Sequence, residues 1–97
     1  MLKELIAYLD LPDTDYWYDD GCELARKLID QNVNGFMKQL AREWSTWPEM
    51  RQQHLAYILG ESDFDSELSL INEMLKSKNV DVAYRAREAL DDFNQKT

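Results

Sequence analysis

Residues 13–21 read DTDYWYDDG, four carboxylates around two phenols and an indole, with no base among them. Carboxylates of this kind accept hydrogen bonds from lysine and arginine, and tyrosine rings supply rigid contact area in protein interfaces. The natural chemistry of the stretch is recognition of a basic surface. Catalysis fits less well. His54 is the one histidine. It shares a helical stripe with Met50, Tyr57 and Ile58, which reads as a half-buried packing residue. Cys22, the one cysteine, has Asp20 and Glu23 close by in sequence; negative neighbours raise a thiol pKa and leave the sulfur unactivated. Residues 63–67, DFDSE, begin like a calcium loop, yet Leu68 stands where the glycine belongs and Met74 where the bidentate glutamate belongs. No glycine-rich phosphate loop occurs. The expectation is therefore no catalytic residue, no metal and no cofactor.

The elements that carry these residues follow from composition. The chain has 97 residues, enough for a single domain over 1–97. Hydrophobic residues make up 44% and aromatics 11%, so the chain folds despite 31% charge. Three glycines and two prolines leave little turn material and favour helices. The net charge of −8 is unevenly spread: −5 over residues 1–31, +1 over 32–60 and −4 over 61–97. Direct nucleic-acid binding requires a basic footprint, which is missing, whereas the same field attracts a basic protein. The start, MLKELIAYLDLPD, fits neither a signal peptide nor an anchor, and no apolar run reaches the roughly 20 residues that span a bilayer. With a single cysteine, the expected location is the cytoplasm.

Helical periodicity runs nearly throughout. Leu2, Leu5, Ile6 and Leu9 mark a first helix ended by Pro12. A second runs from about Asp15 to Gln31 with Trp17, Gly21, Leu24, Ala25 and Leu28 on one stripe. Asn34 is the expected cap of a third, through Phe36, Met37, Leu40, Ala41 and Trp44. Thr46 and Pro48 open a fourth that stops at Gly60. Asp65 or Ser66 starts a fifth, and Asn79 or Asp81 a sixth through Val82, Ala86, Leu90 and Phe93. The reading is all-α: about six helices in three antiparallel hairpins.

The hairpins repeat. A shift of about 32 residues lays WPEMRQQHLAYIL (47–59) over NVDVAYRAREALD (79–91), and the preceding helices align at a shift of 31. NVDVAYRAREAL resembles the second helix of a HEAT repeat through Asp81, Val82, Ala86, Ala89 and Leu90, with Ala83 in place of the usual arginine. The resemblance covers about 60 residues and implies a HEAT-like α-solenoid or bundle. In such stacks the second helices line one side.

At about 100° per residue, Trp17 turns inward and Tyr16, Asp19, Glu23 and Asp30 turn outward. In the sixth helix Asp81, Tyr84, Glu88 and Asp91 share the outward side. These two rows would rim one acidic trough, with Glu49, Gln52 and Gln53 between them. Asp13 and Asp15 read as helix caps, and Trp47, ahead of Pro48, as half exposed. Asp19 and Glu23, spaced i,i+4 beyond the first turn, repel each other and contribute nothing to folding. The candidate partner-binding set is Tyr16, Tyr18, Asp19, Asp20, Glu23, Trp47, Glu49, Asp81, Tyr84 and Glu88.

In size, charge and repeat pattern the chain is similar to the small acidic immunity proteins of bacterial toxin systems, including the all-helical, HEAT-like ones of contact-dependent growth inhibition. The resemblance implies a non-enzymatic inhibitor whose partner is a basic protein, a cognate nuclease toxin. A helical-repeat adaptor between two cellular proteins is the alternative. A DNA mimic is third, since carboxylates at phosphate-like intervals are too few.

Overall fold

The computed structural model describes residues 2–95 and is all-α, with six helices and no strand among them. They are α1 (Leu2–Leu9), α2 (Cys22–Asp30), α3 (Val33–Glu43), α4 (Glu49–Ile58), α5 (Asp65–Met74) and α6 (Val80–Gln95). No helix among the described residues is long and apolar enough to cross a membrane. The chain turns helical at Asp15 and passes through a π-helical turn, Trp17–Gly21, before α2. In that turn the Cys22 N–H reaches back five residues to the Trp17 carbonyl. The extra residue rotates the faces of α2 relative to the turn before it. Trp17, Gly21, Ala25 and Ile29 are buried, Arg26 beside them, while Leu24 and Leu28 are only half-buried.

Caps differ in places from the sequence expectation. Asn32, not Asn34, caps α3: its side-chain oxygen accepts from the Gly35 N–H at 3.1 Å, and Asn34 lies inside the first turn, bonded to Ser66 at 2.6 Å. Thr46 does not cap α4, because its hydroxyl donates to the Glu43 carbonyl at 2.8 Å. Asn79 caps α6, accepting from the Val82 N–H at 3.0 Å. Gly60 comes after the α4 C-cap Leu59 with φ +96°, the left-handed stop that a C′ glycine supplies.

α4 is the centre of the fold. It packs on α6, α2 and α1, and Gln53, His54, Leu55, Ala56 and Ile58 are buried around its circumference. Its sequence is accordingly not amphipathic, as expected for a helix covered on several sides. α1 packs on α2 and α5 on α6, but α3 finds its partners in α5 and α2. The middle pair of the three expected hairpins, α3 with α4, is not among the main packed pairs. α4 packs against both α2 and α6.

Arg26 of α2 and Glu67 of α5 tie these two helices together. The guanidinium grips the carboxylate through Nη1 at 2.9 Å and Nη2 at 2.8 Å, with both side chains buried. The same carboxylate accepts from the Gly60 and Glu61 N–H groups and the Ser62 hydroxyl, ordering the α4–α5 connection.

Candidate partner-binding face

The residues of both rows are exposed, although the π turn breaks the constant period between Tyr16 and Glu23. Tyr16 is 53% exposed and Tyr84 63%, and Asp19, Asp20, Glu23, Asp81 and Glu88 are all exposed. Among the described residues these five carboxylates have no hydrogen bond or ion pair. Glu49 is exposed as well, but in the first turn of α4, and Asp81 holds the same place in α6; the helix dipole accounts for both.

Trp47 does not belong to this set. It is only 8% exposed, because the 3₁₀ turn Trp44–Thr46 folds the connection back and closes the Trp47 N–H onto the Trp44 carbonyl at 3.1 Å. The Arg51 guanidinium then covers the indole at 5.3 Å, and Arg51 is itself held by Asp10 at 2.8 Å. Gln53 is buried too, and the Gln52 amide is bonded to the Trp47 carbonyl at 2.9 Å, so neither furnishes a trough floor.

Tyr18 is half-buried and tied in place. Its hydroxyl donates to Asp13 and accepts from Arg85 of α6 at 2.8 Å, and its ring meets Tyr57 edge-on at 5.1 Å. Asp13 is therefore no cap. It is bonded to Tyr18 and His54, and those hydrogen bonds, with the charges of His54 and Arg85, hold its carboxyl below the usual range. His54 is fully buried instead of half-buried, because its ring stacks on Trp17 at 3.9 Å and bonds to the Leu9 carbonyl at 2.8 Å.

Between α2 and α6, over the end of α4, runs a groove of about 610 Å³. Glu23 and Glu88 from the two rows line it, joined by Glu61 and Asp92, while Tyr57 and Ile58 form its floor. Tyr16 and Tyr84 stand outside. The lining is of mixed sign, since Arg26, Lys27 and Arg85 also enter it. Arg26 is bound to Glu67 and Asp30, and Arg85 lies over the Tyr18 and Tyr57 rings at 5.7 and 5.3 Å. The charge left open is four carboxylates against Lys27 and Arg85, which has no carboxylate partner among the described residues.

Cys22 borders the groove, and burial pushes its thiol pKa up, the nearby Glu23 and Asp19 adding to the rise. The thiol donates to the Tyr18 carbonyl at 3.3 Å and is not an activated nucleophile. Among the described residues no group of three histidine, cysteine or acidic side chains could hold a metal ion.

Arg26, Glu67, Tyr57 and Arg85 were not singled out by sequence. Their partners lie up to 67 residues away, beyond the reach of local periodicity. No family model, curated protein or solved structure matches the chain.

The lowered carboxyls fix an acid response. Burial alone would raise Glu67, but the Arg26 hydrogen bonds and charge, then Ser62 and Gly60, outweigh it and hold Glu67 low; the bonds to Tyr18 and His54 do the same for Asp13. A carboxyl lower in the folded than in the unfolded chain adds stability above its unfolded pKa, and that stability is lost as pH falls through the folded value. Unfolding free energy should therefore drop steadily below about pH 4.5. In Glu67→Gln the drop should be shallower, as measured by urea denaturation at successive pH values; an identical slope would count against the pair.

Proposed function

We propose that this chain is an inhibitor of a basic protein, of the immunity-protein kind, and that its partner is a nuclease toxin. The observation that carries the reading is the pair of exposed tyrosines, Tyr16 and Tyr84, each set among carboxylates that serve no partner within the fold. A nuclease presents lysine and arginine to its substrate's phosphates, so an acidic face can occupy that surface. Exposed ion pairs contribute about 0–1 kcal/mol each, so nanomolar inhibition, about −12 kcal/mol, needs buried ring anchors as well. Tyr16 and Tyr84 are the anchors, with Asp19, Asp20, Glu23 and Glu88 as charge partners and the groove beside Glu23 and Glu88 receiving a basic side chain.

The test is nuclease activity of the product encoded immediately upstream, with and without this chain. Loss of activity at stoichiometric addition is expected, with an association rate that falls steeply as salt rises; unchanged activity rejects the reading. Tyr16→Ala and Tyr84→Ala should each weaken inhibition by about 2–4 kcal/mol, roughly 30- to 800-fold. Asp15→Ala, exposed and outside both rows, should change it less than about threefold, as a rim charge does. Negligible losses at both tyrosines would remove the face from consideration.

A second reading, a non-inhibitory adaptor, is favoured by apolar groups outside the acidic rows: Val80 is 79% exposed and Phe64 44%. Adaptor binding through them would persist in high salt.

A further inference from the structure

We propose that the groove between α2 and α6 is a docking site for one arginine side chain of a basic partner, and that it selects guanidinium over ammonium. The inference rests on the inhibitor reading and deepens it by naming the residue that the partner must offer. At about 610 Å³ the groove falls within the range, roughly 300–1,000 Å³, of sites that enclose a ligand. It has room for a long side chain and the backbone that carries it. Its charge asks for a cation. Glu23 on α2, Glu61 in the α4–α5 connection, and Glu88 and Asp92 on α6 are exposed, and among the described residues their carboxylates have no hydrogen bond or ion pair. Arg26 is answered by Glu67, so Lys27 and Arg85 are the opposing charges, and four against two leaves two negative charges open. The four come from three elements, so a cation in the groove meets carboxylates on more than one side.

The floor decides which cation. Tyr57 is 42% exposed, and Ile58 and Ala89 beside it are apolar. An ammonium is compact and strongly hydrated, so it gains little from such a floor and is served as well by any carboxylate on the outer surface. A guanidinium is flat and weakly hydrated; it lies on aromatic and apolar surface and forks its N–H groups toward carboxylates in its own plane. The chain's own arginines show both modes at this place. Arg85 lies over the Tyr18 and Tyr57 rings at 5.7 and 5.3 Å, with Nη2 donating to the Tyr18 hydroxyl at 2.8 Å. Arg26 forks onto Glu67 through Nη1 and Nη2 at 2.9 and 2.8 Å. The incoming guanidinium takes the space these two leave, between Glu23 on one wall and Glu88 on the other. Arg85 also limits the occupancy: its charge repels a second cation, so the groove takes one arginine and not a run of them.

The test titrates the full-length ¹⁵N-labelled chain, at neutral pH and constant ionic strength, with the blocked tripeptides acetyl-Gly-Arg-Gly-amide and acetyl-Gly-Lys-Gly-amide. Saturable amide shifts are expected around Glu23, Ile58, Glu61 and Glu88, with a millimolar Kd for the arginine peptide and binding at least about threefold weaker for the lysine peptide. The double variant Glu23→Gln with Glu88→Gln alters side chains that bond to nothing within the described fold. It should keep the helical circular dichroism of the parent and bind the arginine peptide about tenfold more weakly. Asp15→Asn, outside the groove, should leave the affinity in place. Equal affinity for the two peptides, shifts spread over the whole acidic surface, or a double variant that binds like the parent would each overturn the site. Inhibition of the product encoded immediately upstream, with no binding of either peptide, would overturn the site and leave the inhibitor reading standing. Arginine-selective binding without inhibition would sustain the site and end that reading.

Discussion

Glu67→Ala is expected to destabilise the chain by about 3–5 kcal/mol, because removing one member of a buried ion pair leaves the other charged, desolvated and uncompensated. The Glu67 carboxylate is fully buried and accepts two bonds from Arg26 and three from the α4–α5 connection. After its removal Arg26 keeps only the Ile58 carbonyl at 3.1 Å and the exposed Asp30 at 2.8 Å. The loss is a large fraction of the 5–15 kcal/mol or so that holds a domain of this size together. Urea unfolding monitored by helical circular dichroism reads the change, and a loss under about 1 kcal/mol would show that water or rearrangement satisfies the guanidinium. The double replacement Arg26→Met with Glu67→Leu should recover part of the loss, since a buried pair exchanged for apolar groups is often neutral. Recovery should be incomplete, because the Glu61 N–H and the Ser62 hydroxyl still lack their acceptor.

Gly60→Ala should cost about 3 kcal/mol, for two reasons that act together. At φ +96° a side chain is strained by about 1–3 kcal/mol wherever it sits. A methyl group here would also stand 2.5 Å from the Ala89 carbonyl oxygen, which is backbone of α6 and cannot swing aside; forced overpacking adds about 1–3 kcal/mol. Gly60→Asn separates the two. Asparagine tolerates positive φ better than alanine but carries the same Cβ, so equal losses in thermal unfolding would assign the larger share to the clash. If alanine is accepted without loss, the close approach of α4 and α6 at this point is not maintained in solution.

The helices were legible because their periodicity is local. Trp17 reads as interior from its own neighbours, and Gly60 ends a helix whatever lies beyond it. The same rule set Tyr16 and Tyr84 outward. What failed was information that arrives from a distance or from an added residue. The π turn at Trp17–Gly21 shifts the buried stripe from Leu24 and Leu28 to Ala25 and Ile29, and a constant angle per residue cannot anticipate that step. Arg26 is interior only because Glu67 meets it from 41 residues away. Asp13 has the composition of a cap, but its partners are Tyr18 and His54, the latter brought in by α4. Trp47 precedes a proline, which marks a connection, and nothing local reveals that a 3₁₀ turn folds the ring inward. The repeat of the sequence did not foretell that α3 packs on α5 and α2.

The enclosure of α4 bears on how the molecule breathes. A helix whose neighbours cover it on several sides frays little, so its amides near Leu55 should exchange with deuterium mainly through cooperative opening of the domain. The acidic residues of α2 and α6 flank this helix, so its packing sets the distance between them.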